Sequence, residues 1–297
     1  MTKIGNVEVR NTKDLFGPWT KLCACLWAKP KFGKTYWAAG LDKVTKKWYN
    51  KPTLFVAVEA ADGGGTMSIR EMGVDYVEPK SWSEFQSIVA ALQTDTTYAG
   101  VVVDNASDLV KRFIQPIAVK MAYEKGAAPE SRLKGVPAQG DYQTMGEMLR
   151  TEMNSLVNLT KKSVPDNIRK HLLVTALEYE KTDRKSGDTI SIGPALPGQM
   201  ADTASAMFQT MLTLGIDRVV YPDPKNPKQN IARYDRMIIA TADGKKILGD
   251  RMGIFPAKMT ADLVSFWENF WLPTVEGKVV EKAEEVVEEV KEVKIGG

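Results

Sequence analysis

The sequence has two cysteines, one histidine and no long apolar run. Cys23 and Cys25 stand two apart in "KLCACLWA". On a strand, that spacing sends both side chains to one face. Such a placement disfavours a disulfide between them, and two thiols alone make no zinc site. They read as small buried hydrophobes in a reducing cytosol. His171 opens an apolar strand and reads as structural rather than as a ligand or a base. No apolar stretch is long enough to span a bilayer, and the opening "MTKIGNVEVRNTKD" holds no apolar signal core. The expectation is a cytoplasmic protein without membrane contact.

What remains is an ordinary globular composition. At 297 residues the chain can bury a full α/β core. One domain with a tail is expected: an N-terminal extension over 1–18, a core over 19–275, and a Glu/Lys/Val tail over 276–297. The tail, "EGKVVEKAEEVVEEVKEVKIGG", has seven Glu and four Lys, which turns the total of +3 into +6 on residues 1–275. A mildly basic body with an acidic tail permits nucleic-acid binding without requiring it. The tail reads equally as an amphipathic helix that docks on a partner or as a solvating extension.

The most informative stretch is "AKPKFGKT", residues 28–35. It follows the phosphate-loop pattern G-x-x-x-x-G-K-[ST], with Ala28 in the first-glycine position. Ala28, Lys29, Pro30, Lys31, Phe32 and Gly33 would surround phosphate oxygens, with the backbone N–H groups of the non-proline residues pointing inward. Gly33 allows close approach, and Lys34 brings a point charge to the β- and γ-phosphates. Thr35 offers a hydroxyl to Mg²⁺, and the helix that begins here adds its positive dipole end. Ala28 adds one methyl group, and a small residue is expected to suffice there. The flanks agree: "KLCACLWA" suits a central parallel strand, and "KTYWAAGLDKVTKKW" places Trp37, Ala38, Leu41 and Val44 at helical spacing.

Strands and helices alternate from about residue 20 to 181. The strands are "PTLFVAVEAAD" (52–62), "AGVVVDNASDLV" (99–110) and "HLLVTALEYEK" (171–181), with a short one near "VDYVEP". Helices are expected over 81–93, where Ser81 and Glu84 form a capping box, from Asp104 to about Lys125 with a kink at Pro116, and over 141–162. Two later strands, "MLTLGIDRVVYP" and "ARYDRMIIATADG", precede a closing helix over 260–271. This pattern predicts an α/β fold with a mainly parallel sheet and helices on both faces. Ligands then gather at the C-terminal ends of the strands, where the loop, Glu59, Asp104 and the Thr175–Glu178 segment all fall.

Asp104 would hold the Mg²⁺ shell opposite Thr35, mostly through water. A capping role is the plain alternative, since "DNAS" also starts helices well. Glu59 is read as the carboxylate that orients or deprotonates the attacking water, against a merely solvated strand end. Thr175 and Glu178 would sense the γ-phosphate.

This order of parts resembles the RecA-like ATPase core, and more closely the RecA-like, AAA-type nucleotide-binding proteins of tailed phages. The matching pieces are "AKPKFGKT", "FVAVEAAD", "VVVDNASDL", "HLLVTALEYEKTDRKSGD", "GPALPGQMAD" and "DGKKILGDRMGIFP". The resemblance implies a RecA-like P-loop fold, ATP and Mg²⁺ as cofactors, and ATP hydrolysis. It implies homo-oligomers with ATP between protomers, single-stranded DNA as a partner, and a role in annealing or strand exchange. A single-strand-binding or replication/recombination protein is a further implied partner. A basic residue from the neighbouring protomer would complete the site. Arg251 in "GDRMG" is the candidate, with Lys245 and Lys246 as alternatives and a solvated hairpin charge as the plain reading. DNA contacts would come from two loops, one with Arg132 and Lys134, the other with Lys181, Arg184 and Lys185. Basic residues in flexible loops suit backbone contacts without sequence reading, although basic turns are commonly just solvated. Two rivals stand beside this reading: a nucleotide-gated scaffold or loader with little turnover, and a P-loop kinase.

Overall fold

The computed structural model describes residues 3–4, 7–8, 21–58, 64–124, 136–183, 185–197, 200–223, 226–242, 244–251 and 253–275. Of these, 3–4, 7–8, 64, 201–202, 219–223 and 226–233 are described as backbone only. The tail over 276–297 lies outside the described residues, as does the extension over 1–18 apart from a ladder between Lys3–Ile4 and Val7–Glu8.

The core begins with β1 (Cys23–Ala28), α1 (Lys34–Tyr49), β2 (Thr53–Ala57), β3 (Asp75–Val77), α2 (Trp82–Leu92) and β4 (Gly100–Asp104). A helical run, α3, follows as Ala106–Leu109, a π turn at Val110–Ile114, and Gln115–Glu124. Next come α4 (Gln139–Asn158), β5 (His171–Thr182), β6 (Thr189–Pro194) and α5 (Met200–Met207). The long hairpin of β7 (Thr210–Asp223) and β8 (Asn226–Ile239) leads to β9 (Gly249–Asp250) and β10 (Lys258–Thr260). The closing run, α6, is Leu263–Phe266, a π turn at Trp267–Trp271, and Leu272–Val275.

The sheet order is β10-β8-β7-β1-β5-β4-β2-β3, with β6 paired to β5 and β9 to β7. From β7 through β3 the neighbours are parallel, and β8 and β10 add an antiparallel edge. This is the mainly parallel architecture expected from the alternation. It has a physical cause in β1, whose residues are all buried, at 0–1 % exposure. Cys23, Cys25 and Trp27 face one apolar layer, with Phe85, Leu109, Leu149 and Ala204 from α2 to α5. Leu22, Ala24, Leu26 and Ala28 face the other, with Trp37 and Leu41 of α1 and Phe266 and Trp267 of α6. A parallel strand covered on both faces needs apolar residues at every position, and "LCACLWA" supplies them. Both thiols are free, and burial pushes Cys23 up to about 11 and Cys25 up to about 12.

Three local expectations take a different form. The capping box at α2 is half made: the Ser81 hydroxyl accepts the Glu84 N–H at 3.2 Å, but the Glu84 carboxylate accepts from Lys80 N–H at 2.7 Å, one residue early. The expected kink at Pro116 is a π turn just upstream, with Gln115 N–H bonded to the Val110 carbonyl. The widened turn accommodates a ring that would otherwise meet the carbonyl four residues back. The helix expected over 141–162 runs over Gln139–Asn158, and the Asp141 carboxylate caps its start by accepting Ala138 N–H at 2.9 Å.

His171 is fully buried at the start of β5, with its ring centroid 4.8 Å from that of Tyr49 and 4.9 Å from that of Trp267. Its Nδ1 accepts the Leu22 N–H at 2.9 Å, which places the proton on Nε2. Burial, and then the charge of Lys21, hold the imidazole well below its ordinary 6.5. It is the structural residue the sequence predicts. Among the described residues no helix is long and apolar enough to cross a membrane.

Candidate phosphate and metal site

β1 is pinned on both sides, by β5 with Ala28 opposite Leu177 and by β7 with Trp27 opposite Thr213. The chain leaves this clamp at Ala28 and turns through Lys29 to Gly33. Lys31 and Gly33 take left-handed backbone conformations, at φ 65° and 96°. Trp37 N–H then bonds the Gly33 carbonyl at 3.0 Å and the helix begins. The Lys34 ammonium, on a side chain only 7 % exposed, donates to the carbonyls of Ala28 at 3.0 Å and Lys29 at 2.9 Å. It ties the two ends of the loop together.

Ala28 explains itself in this geometry. It is the last residue of β1, paired in register and free of positive φ, and its methyl is buried in the α1 layer. The position needs no glycine conformation, so alanine costs nothing in backbone strain. Phe32 packs against the same layer. Pro30, Lys31, Gly33, Lys34 and Thr35 line a cavity of about 550 Å³, which Arg236 of β8 also lines.

β5 lies between β1 and β4, so three strand ends meet beside the loop. Asp104, 2 % exposed, accepts the Thr35 hydroxyl on Oδ2 at 2.7 Å and the Thr175 hydroxyl on Oδ1. The plain alternative for Asp104, a capping role, meets a different residue here. The cap of α3 is Asn105, whose side chain accepts Asp108 N–H at 2.8 Å, so Asp104 does not cap it. Thr175 contacts the carboxylate rather than facing solvent. A hydroxyl and a carboxylate are hard oxygen donors, and they fit Mg²⁺ better than a softer ion. A phosphate loop beside them fits a nucleotide.

The remaining predicted residues divide. Glu178, one step beyond the Ala28–Leu177 pair, brings its carboxylate to 3.9 Å from the Lys29 ammonium at the loop's edge. Arg251 lies at the other end of the sheet. β9 pairs with the first residues of β7, Asp250 opposite Thr210, and Thr210 lies opposite Ala24 rather than Ala28. The Arg251 guanidinium donates to the Ala206 carbonyl at 3.4 Å, far from its own chain's loop. Lys245 and Lys246 run beside β6, where the Lys245 carbonyl accepts Ile192 N–H at 2.9 Å. Lys185 is exposed in the β5–β6 turn, where its N–H donates to the Asp183 carboxylate at 2.7 Å. Lys181 lines a second cavity of about 470 Å³ with Tyr142 and Tyr179. Glu59, Arg132, Lys134 and Arg184 lie outside the described residues. Sequence reasoning missed Arg236, which belongs to no local motif and reaches the loop only through the register of a hairpin.

No curated protein matches the chain. Among solved structures it is similar to a KaiC-like protein from Pyrococcus horikoshii, at 12 % identity over 73 % of this chain and 76 % of that one, with a TM-score of 0.36. It is also similar to the flagellar accessory protein FlaH from Methanocaldococcus jannaschii, at 9 % identity over 84 % of this chain and 89 % of that one, with a TM-score of 0.40. Likeness this distant carries nothing about activity. The AAA domain family matches residues 20–242. That span takes in the phosphate loop, Asp104 and the β5 strand between them, and by it the chain belongs to the AAA domain family of P-loop nucleotide-binding proteins.

Proposed function

We propose that this chain is a Mg²⁺-dependent ATPase of a phage recombination system, acting in the host cytoplasm as a homo-oligomer on single-stranded DNA to promote annealing or strand exchange. The observation that carries the ATPase part is the bond from Thr35 to Asp104, buried beside Lys34. The loop backbone and Lys34 bind the phosphates, and Thr35 and Asp104 hold the metal. When bound, Mg²⁺ neutralises charge on the phosphate oxygens. Thr175 fixes the Asp104 carboxylate, Glu178 stands at the loop's edge as a sensor, and Glu59 is the carboxylate assigned to the attacking water.

The DNA part draws on the sequence resemblance and on the second cavity. Tyr142 and Tyr179 are 43 % and 55 % exposed there, beside Lys181. Exposed aromatic rings next to a cation suit sequence-tolerant stacking of unpaired bases. Lys185 in the adjoining turn, with Arg132, Lys134 and Arg184, would supply backbone contacts.

ATP hydrolysis by the purified chain, with and without single-stranded DNA and beside Lys34→Ala, tests this. DNA-stimulated turnover that Lys34→Ala abolishes is expected. Binding of ATP without any DNA effect would leave a nucleotide-gated scaffold or a kinase as the better reading.

A further inference from the structure

Beside Lys31 and Lys34, a third cationic residue reaches the loop's cavity from an unexpected direction. β7 is parallel to β1, with Thr213 opposite Trp27. It continues past the end of β1, and β8 returns antiparallel beside it, with Arg236 opposite Ile216. Ile216 stands three residues beyond Thr213, so Arg236 sits at the level of the phosphate loop. A Cβ built on Gly33 would meet the guanidinium at 3.1 Å from Nη1, 3.3 Å from Cζ and 3.4 Å from Nε. The planar group therefore packs against Gly33, the loop's one glycine, within the loop's own cavity. Asp217, on the neighbouring strand, is engaged elsewhere, by Lys258. Among the described residues no carboxylate forms an ion pair with Arg236.

We propose that Arg236 is a phosphate-binding residue supplied by the same chain, whose guanidinium takes the terminal phosphate of a nucleoside triphosphate. This rests on the nucleotide reading above and deepens it. Lys34 approaches from the loop's floor, and Arg236 from the hairpin that flanks it. A guanidinium fork matches two phosphate oxygens at once, which a diphosphate bound through Lys34 alone does not require. The site thereby distinguishes ATP from ADP within a single protomer, and a Cβ at Gly33 would press on the arginine's guanidinium.

The test is equilibrium titration of ATP and ADP by calorimetry, in Mg²⁺, with no turnover readout. Wild type, Arg236→Ala, Arg236→Lys and Lys34→Ala are compared. Arg236→Ala is expected to weaken ATP at least about tenfold while leaving ADP nearly unchanged, a loss of about 1.4 kcal/mol or more. Retained ADP binding also shows that the variant folds. Arg236→Lys should recover only part of the preference. Equal losses for ATP and ADP, or none, would overturn the assignment while leaving the nucleotide site standing. If wild type and Lys34→Ala bind nucleotide equally poorly, the nucleotide reading itself falls. Mixing Arg236→Ala with Lys34→Ala separates same-chain from neighbour action. Wild-type ATP affinity restored on mixing would mean that the arginine serves the adjacent protomer and would overturn the same-chain assignment, whereas no restoration is expected.

Discussion

Thr35 and Asp104 are joined by a buried hydrogen bond of 2.7 Å, although 69 residues separate them in the chain. One opens the first helix, and the other ends a strand two places away in the sheet. Asp104→Asn keeps the shape but leaves an amide that cannot accept on both sides. Metal dependence of ATP affinity should shrink by roughly 10–100-fold, as for losses in a metal's supporting shell. Titrating ATP in Mg²⁺ and again in EDTA checks this. If the variant keeps the wild-type difference, Asp104 does not support a metal.

Gly33→Ala places a side chain at φ 96° and pushes on Arg236. The backbone strain should cost about 1–3 kcal/mol. A lower melting temperature and weaker ATP binding are expected together. Adding Arg236→Ala relieves the contact but not the strain, so the melting temperature should stay low in the double variant. Full recovery would mean that crowding alone was responsible.

His171 is the chain's one histidine, and it is held neutral by burial. Below 6.5 the unfolded chain takes up a proton that the folded chain refuses. Stability should therefore be unaffected by this group above pH 6.5 and fall as the pH drops below it, by up to about 1.4 kcal/mol per pH unit. Denaturant melts between pH 7 and 5 measure the slope. His171→Asn retains an acceptor for Leu22 N–H and should flatten that slope, while lowering stability at every pH through lost packing against Tyr49 and Trp267. An unchanged slope would assign it to other groups.

The cavity beside β5 gives a prediction that separates stacking from charge. Tyr179→Ala should weaken binding of a single-stranded oligonucleotide by about 1–3 kcal/mol at any salt concentration. Lys181→Ala should reduce the slope of log affinity against log salt by about 0.7. Fluorescence anisotropy across a salt series reads both. Loss of neither would remove this cavity from the DNA path.

Much of the core was legible because burial on both faces leaves a plain trace. "LCACLWA" and "VVVD" suit strands covered on both faces, and each ends where the pattern predicts chemistry. Thr175 could be placed near Asp104 for the same reason, since parallel strands end together. Arg236 is not legible in the sequence. It sits on the antiparallel edge, and its position depends on register: β8 carries it back beside the far half of β7. A local motif holds no record of how far a hairpin extends. The half-made capping box at Ser81 has a similar cause, because a glutamate can reach the preceding amide as easily as the expected one.

β5 carries Thr175 against Asp104, Glu178 near Lys29, and Tyr179 and Lys181 in the second cavity. Leu177 N–H also bonds the Ser107 hydroxyl at 3.0 Å, and that hydroxyl bonds the Ala195 carbonyl at 2.8 Å. The Asp104 contact and the aromatic side of the second cavity thus lie along one strand, with no loop between Thr175 and Tyr179. One continuous backbone fixes the spacing between the hydroxyl that donates to Asp104 and the exposed ring of Tyr179.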